Sequence, residues 1–233
     1  MASSSLAVQY PAEYRVKGTL QSVQIPEDGH GTGNIWDLLA LGGLLTRHHH
    51  QKAVLGWGGG TVAALIRSFQ PYSVFDAVEV NRDAIDVAYS WGVDYQPPGL
   101  CPTDVTEWIF EEFKAHLQSG TSPSSRPYSL IIEDTFKGYE KPEGFPVPNY
   151  RMLSTLTDTL VVNTVGRAAP RTRAILKDLY PRVVKVELGG LLNRVFIAST
   201  LREECTGKAL RAAASKHGCF QRILANNVRI SLT

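Results

Sequence analysis

The stretch Lys52 to Asn81 constrains the fold more than any other part of the chain. An apolar run, Ala53-Val54-Leu55, stops at Gly56, and after Trp57 come Gly58, Gly59 and Gly60. A helical apolar pattern then runs through Val62, Ala63, Leu65, Ile66 and Phe69, and a second apolar run ends at Glu79. The order is strand, glycine bend, helix, strand, with a carboxylate at the tip of the second strand. Glycine lets the backbone turn sharply and lets a ligand approach where a Cβ would clash. An acid at that tip can accept hydrogen bonds from both hydroxyls of a ribose. The unit reads as a nucleoside-binding crevice at the carboxyl ends of parallel strands. A tight βα turn without a ligand is the competing reading.

The bend narrows the choice of nucleoside. A phosphate-binding loop requires Gly-Lys-Ser/Thr after the glycines, and here Gly60 is followed by Thr61-Val62. A dinucleotide fingerprint needs a third small residue, which Ala63 supplies after Gly58 and Gly60. Spacing therefore excludes the first and leaves NAD open.

A second acidic position lies further on. Ser129 to Ile132 is a buried strand followed by Glu133 and Asp134, at the end of the sheet where α/β folds carry chemistry. The loop Thr135 to Pro148 is aromatic and punctuated by proline, as a substrate wall or lid would be. Thr135, Phe136 and Tyr139 are candidate wall residues, with Phe145 beside them. Aromatics pinning the loop to its own scaffold is the alternative. Asn81 is read as a helix cap that also touches the ligand. Asp104 caps a helix through His116, alone or while also contacting a ligand.

The remaining chain reads as one α/β domain. At 233 residues, 43% hydrophobic and 20% charged, it can bury a full core. Net charge +2 does not point to nucleic acid or an anionic membrane as partner. Cys101, Cys205 and Cys219 lack metal-ligand spacing and suit reduced thiols in a cytoplasmic protein. No apolar run reaches membrane-spanning length, and the first residues do not form a secretory signal. His48, His49 and His50 are neighbours that point apart, so a helix end is preferred to a metal site, and no metal is expected.

Tyr14 to Ile25 alternates around Gly18-Thr19 as a small hairpin, and Glu27 to Gly33 reads as a mobile glycine-rich loop that either covers the ligand or simply connects two elements. Asn34 caps a helix over Ile35 to Leu45. Tyr95 to Cys101 is a short or irregular strand because of its prolines. Further strands are expected at Leu160 to Asn163, Val183 to Leu188 and Arg194 to Ser199, with a β-like end at Val228 to Leu232. Residues 1–33 form an amino-terminal segment and residues 34–233 the single Rossmann-like domain.

Several motifs together resemble a known family. Gly56-Trp57-Gly58-Gly59-Gly60-Thr61 and Val78-Glu79-Val80-Asn81 look like the first two motifs of the spermidine-synthase-like branch of class I S-adenosylmethionine-dependent transferases. Thr103-Asp104-Val105-Thr106-Glu107-Trp108 resembles the segment whose Asp meets the adenine amine. Tyr128 to Phe136 resembles the strand ending in the active-site Asp. Leu179 to Val183 and Asn193 to Ala198 resemble the closing strand pair. The resemblance implies an α/β fold: a Rossmann-like class I methyltransferase sheet with helices on both faces, a closing antiparallel strand pair and a short amino-terminal β-hairpin.

It also implies S-adenosylmethionine, or its decarboxylated form, as cofactor. Gly58, Gly59, Gly60, Thr61, Glu79, Asn81, Asp104 and Val105 would bind it, and Asp134 would be the catalytic base or substrate anchor. Spermidine synthases carry Asp where this chain has Thr61 and Lys137, and a longer β-rich amino-terminal domain. Methyl transfer to a small molecule is therefore preferred to aminopropyl transfer. A ring-closing catalyst or a non-catalytic binding module is the third reading. The resemblance admits a homodimer with the hairpin as interface, and no residue pattern decides it.

Overall fold

Apolar side chains on opposite faces of one sheet make two halves of the core. The computed structural model describes residues 10–46, 50–91, 100–101, 103–120, 125–136, 145–226 and 228–233. The elements in chain order begin with β1 (Glu13–Val16), β2 (Thr19–Val23), α1 (Ile35–Ala40), β3 (Lys52–Leu55), α2 (Thr61–Phe69) and β4 (Phe75–Val78). They continue with α3 (Arg82–Ser90), β5 (Leu100–Cys101), α4 (Val105–Gln118), β6 (Tyr128–Glu133), α5 (Val147–Leu156) and β7 (Thr157–Val165). Last come α6 (Ala168–Leu179), β8 (Arg182–Glu187), β9 (Asn193–Ser199), α7 (Gly207–Ala214), α8 (Gln221–Ala225) and β10 (Arg229–Leu232).

β1 and β2 form a two-stranded sheet; the others form one eight-stranded sheet in the order β10-β8-β9-β7-β6-β3-β4-β5. β5, β4, β3, β6 and β7 are parallel, and β9, β8 and β10 close the sheet antiparallel. From β3 the chain builds outward through β4 to β5, then returns to the other side of β3 as β6. The β3/β6 boundary is therefore the topological switch point, where such sheets open a crevice at the carboxyl ends.

Side chains along a strand alternate between faces. Val54, Leu130, Ile132 and Val161 pack with α1 and α2 on one face. Ala53, Leu55, Ile131, Leu160 and Val162 pack with α4, α5 and α6 on the other. Because both faces are covered, the central strands read as unbroken apolar runs. Each fully buried Leu or Ile contributes about 2 kcal/mol.

The expected architecture is the observed one, with local differences. The helix expected over Ile35 to Leu45 is α-helical only to Ala40 and continues as a 3₁₀ turn, Leu41–Leu45. Gly42 and Gly43 are weak helix formers, and a Cβ on Gly42 would lie 2.3 Å from Val161 Cγ2, so this turn lies directly on the sheet. Of the expected Tyr95 to Cys101 strand, Leu100–Cys101 forms β5, and 95–99 lie outside the described residues.

The loop expected to be mobile, Glu27 to Gly33, is bonded at both ends instead. Asp37 accepts from Thr32 N, Thr32 Oγ1 and Gly33 N at 2.9, 2.6 and 2.7 Å. Arg222 of α8 donates to Asp28 and to the Gly31 carbonyl. The carboxyl-terminal β-like segment becomes β10, an edge strand on β8. Cys205 and Cys219 are free and buried, and burial pushes the Cys205 thiol up to about 12, which makes it unreactive. Among the described residues, no helix is long and apolar enough to cross a membrane.

Candidate active site

Strand register brings the site together. Leu55 pairs with Val78 on one side and with Glu133 on the other. The next residue on each strand is therefore Gly56, Glu79 and Asp134, in one row across three adjacent strands. Neighbouring strands are about 4.8 Å apart, so Glu79 and Asp134 stand roughly 10 Å apart at the backbone with the bend between them. Gly56 N donates to Val78 O at 2.9 Å, and Asp134 N to Leu55 O at 2.9 Å, which pins the row on both sides.

The bend requires glycine where it leaves the strand. Gly56 has a φ of +85°, and a Cβ there would lie 2.5 Å from the Asp134 carbonyl oxygen. Left-handed backbone and a blocked Cβ position both exclude larger residues. Trp57 is buried and packs edge-on against Phe75, with ring centroids 6.3 Å apart, anchoring the bend in the core.

The Glu79 carboxylate faces the bend. Its Oε2 accepts from Gly58 N at 2.8 Å, and its Oε1 accepts from Asn81 N at 2.8 Å. Each carboxylate oxygen has a second acceptor site, so the ribose-diol role remains open to it. Asn81 caps α3 through Oδ1, which accepts from Asp83 N at 3.0 Å, and its Nδ2 donates to Tyr14 Oη at 2.9 Å. Gly59 N donates to Ser22 Oγ at 2.7 Å, so β2 lies against the bend.

Asp134 is half-buried and oriented by a chain of amides. Asn163 Nδ2 donates to Asp134 Oδ1 at 2.7 Å, and Asn193 Nδ2 donates to Asn163 Oδ1 at 3.0 Å. Glu133 is buried and its Oε1 accepts from Thr135 N at 3.1 Å and from the Thr135 hydroxyl. Glu133 and Asp134 therefore point into different surroundings: Glu133 inward, Asp134 to the half-exposed strand end.

Asp104 is exposed, and its carboxylate caps α4 by accepting from Thr106 N at 2.7 Å. Val105 is half-buried against the α4–α6 side of the core. Thr61 departs from its expected place: its hydroxyl is buried, donating to Val23 O at 2.7 Å and accepting from Val23 N at 3.1 Å. Its side chain fastens β2 rather than lining the crevice, because α2 begins directly under that strand. Phe136 is half-buried after Thr135. Tyr139, with the rest of 137–144, and His48 and His49 lie outside the described residues. Phe145 packs on Tyr150 at 4.9 Å between centroids, on its own scaffold.

Sequence reasoning missed Asn163, Asn193, Ser22 and Tyr14. Asn163 alone had a local signal, a polar residue ending the apolar run Leu160-Val161-Val162. A cavity of about 570 Å³ opens beside the bend, lined by Val23, Ile25, Gly60, Tyr72, Val74 and Trp91 among others. Neither Glu79 nor Asp134 lines it. The strand-end crevice is therefore defined by its acids and the switch point, not by this hollow.

No family model matches the chain, and no curated sequence does. Solved structures match in shape. Human methyltransferase-like protein 13 in complex with SAH superposes with a TM-score of 0.61 at 18% identity, over 81% of this chain and 91% of that one. The probable spermidine synthase from Corynebacterium glutamicum ATCC 13032 gives 0.68 at 15% identity, over 94% of this chain and 81% of that one. Spermidine synthase from Thermotoga maritima gives 0.55 at 12% identity, over 78% of this chain and 63% of that one, so the chain spans less than two thirds of that enzyme. The chain has the class I methyltransferase fold, shared with structures of the spermidine-synthase type.

Proposed function

We propose that the chain is an S-adenosylmethionine-dependent transferase, with methyl transfer to a small molecule as its reaction. The observation that carries this reading is the row Gly56, Glu79 and Asp134 across the switch point, with the Glu79 carboxylate bonded to the bend. The bend's own donors support it. Gly58 N and Gly59 N already donate to Glu79 and Ser22. A pyrophosphate needs such amides free. With both taken, the bend suits a nucleoside without a pyrophosphate better than NAD.

When bound, the cofactor supplies an electrophilic carbon activated by its sulfonium. The chain's residues do the rest. Glu79 has acceptor sites left for the ribose hydroxyls, and the end of α4 at Asp104 and Val105 stands on the adenine side. Asp134, fixed by Asn163, takes the acceptor's proton or holds the acceptor in line.

Aminopropyl transfer is the second reading, favoured by the overlap with the Corynebacterium structure over 94% of this chain. Against it, the position after the glycines is Thr61, with its hydroxyl bonded to Val23, and offers no carboxylate to a polyamine cation. A thermal-shift panel separates the readings through the stabilisation a native-state ligand gives. S-adenosylmethionine and S-adenosylhomocysteine should raise Tm more than the decarboxylated pair. A rise with the decarboxylated pair alone would favour aminopropyl transfer. A rise with NAD alone would overturn both.

A further inference from the structure

The β1–β2 hairpin is hydrogen-bonded to the bend and to the residues that follow it. Two-stranded sheets are marginally stable alone, so this hairpin depends on what it leans on. Its turn, Lys17-Gly18, has positive φ at both residues, which suits a tight two-residue connection. Ser22 Oγ takes Gly59 N, the Val23 backbone takes the Thr61 hydroxyl, and Tyr14 Oη takes Asn81 Nδ2. All three contacts fall on the bend or on the residue two beyond Glu79.

The Tyr14 contact leads furthest. Asn81 N donates to Glu79 Oε1, and Gly58 N donates to Glu79 Oε2. A line of hydrogen bonds therefore runs Tyr14, Asn81, Glu79, Gly58, from the hairpin to the middle of the bend. Tyr14 is half-buried, and burial, with the Asp83 and Glu79 carboxylates, pushes its hydroxyl up, so the hydroxyl stays protonated beside these acids. A hydroxyl that can accept from Asn81 Nδ2 also has a proton to donate outward.

We infer that Tyr14 is a positioning residue for nucleoside binding, holding Asn81 and through it the Glu79 carboxylate, so that hairpin docking and occupancy of the crevice favour each other. The inference rests on the reading above for its ligand, and on the hydrogen bonds alone for its coupling. Linkage makes the effect reciprocal: what the hairpin adds to nucleoside affinity, the nucleoside adds to hairpin docking. Ser22 works the same way from the other side of the bend, through Gly59.

Two arms of one experiment test it on the full chain. Without ligand, amide hydrogen exchange is followed at Gly58 and Asn81. Tyr14→Phe should speed exchange there several-fold, while Tyr128→Phe, a loss of hydroxyl at the opposite end of the strands, should leave both amides unchanged. With S-adenosylhomocysteine, Tyr14→Phe and Ser22→Ala should each weaken Kd about 5- to 10-fold, a loss the size of one hydrogen bond. Tm without ligand should stay within a few degrees, the size of one lost hydrogen bond. Exchange across residues 13–23 should slow when the nucleoside binds to wild type.

Unchanged exchange at Gly58 and Asn81 in Tyr14→Phe overturns the coupling, whether or not any nucleoside binds. An unchanged Kd for Tyr14→Phe, with wild type binding normally, overturns the positioning role. Wild type failing to bind S-adenosylhomocysteine while the exchange arm succeeds would sink the proposed function and leave the coupling standing.

Discussion

The two ends of the central strands carry similar side chains and treat them oppositely. At the amino ends, Tyr128 Oη lies 2.7 Å from Asp76 Oδ2 and 3.0 Å from Glu112 Oε2, and Gln51 Nε2 donates to Asp76 Oδ1 at 2.9 Å. Trp108 covers the tyrosine ring at 5.7 Å, and Lys52 is buried with its Nζ donating to His50 O at 3.1 Å. Burial pushes Glu112 up and Lys52 down to about 8. These polar side chains are bonded to one another or to backbone. At the carboxyl ends, Glu79 and Asp134 are held by backbone and amide donors but stay half-exposed. Acids alone do not mark a site. What distinguishes the carboxyl end is carboxylates fixed in direction yet incompletely covered, beside a bend without side chains.

Four substitutions sharpen this contrast. Asp134→Asn should lower turnover about 10³-fold once an acceptor is in hand, the scale of a lost general base, with S-adenosylhomocysteine affinity nearly unchanged. Radiolabelled methyl transfer and calorimetry report the two separately. Glu79→Gln keeps the shape but removes the charge that accepts two backbone amides. It should weaken nucleoside binding by about 2 kcal/mol, roughly 30-fold in Kd, read by calorimetry.

At the other end, Tyr128→Phe leaves Asp76 and Glu112 without their shared hydroxyl. It should cost about 1.5 kcal/mol of stability in urea unfolding and leave nucleoside affinity as it was. A loss of affinity there would show that the two ends are not independent.

The smallest effect concerns pH. Lys52 has its folded pKa lowered from 10.5 to about 8 by burial. Between those values the unfolded chain binds more protons than the folded one, so stability rises with pH across that window. Relative to Lys52→Met, the wild type should gain on the order of 1 kcal/mol from pH 8 to pH 10, since the His50 carbonyl still supports the charged form. Denaturant midpoints at the two pH values measure it. A gain that runs the other way would mean the ammonium is stabilised where it sits.

How much of this was legible in the sequence follows from how local each feature is. The bend, Glu79 and Asp134 could be read because each lies at the end of an apolar run, and strand ends in α/β folds converge. Asn81, Asn34 and Asp104 could be read as caps because capping involves the next few residues. Asn193 could not, because its bond to Asn163 depends on β7 and β9 pairing antiparallel, and Asn163 showed only its place at the end of an apolar run. The same holds for Ser22 and Tyr14, whose partners lie 37 and 67 residues away. Asp28 was read as part of a free loop because its partner, Arg222, is 194 residues on. The bond of Thr61 to Val23, 38 residues back, was out of reach for the same reason.

A crystal structure of the chain with S-adenosylhomocysteine tests the central claim most directly. The expected result is the ribose diol within hydrogen-bond distance of Glu79, adenine beside Asp104, and the sulfur directed toward Asp134. A nucleoside seated in the hollow beside Trp91, or one whose ribose leaves Glu79 bonded only to Gly58 and Asn81, would contradict it.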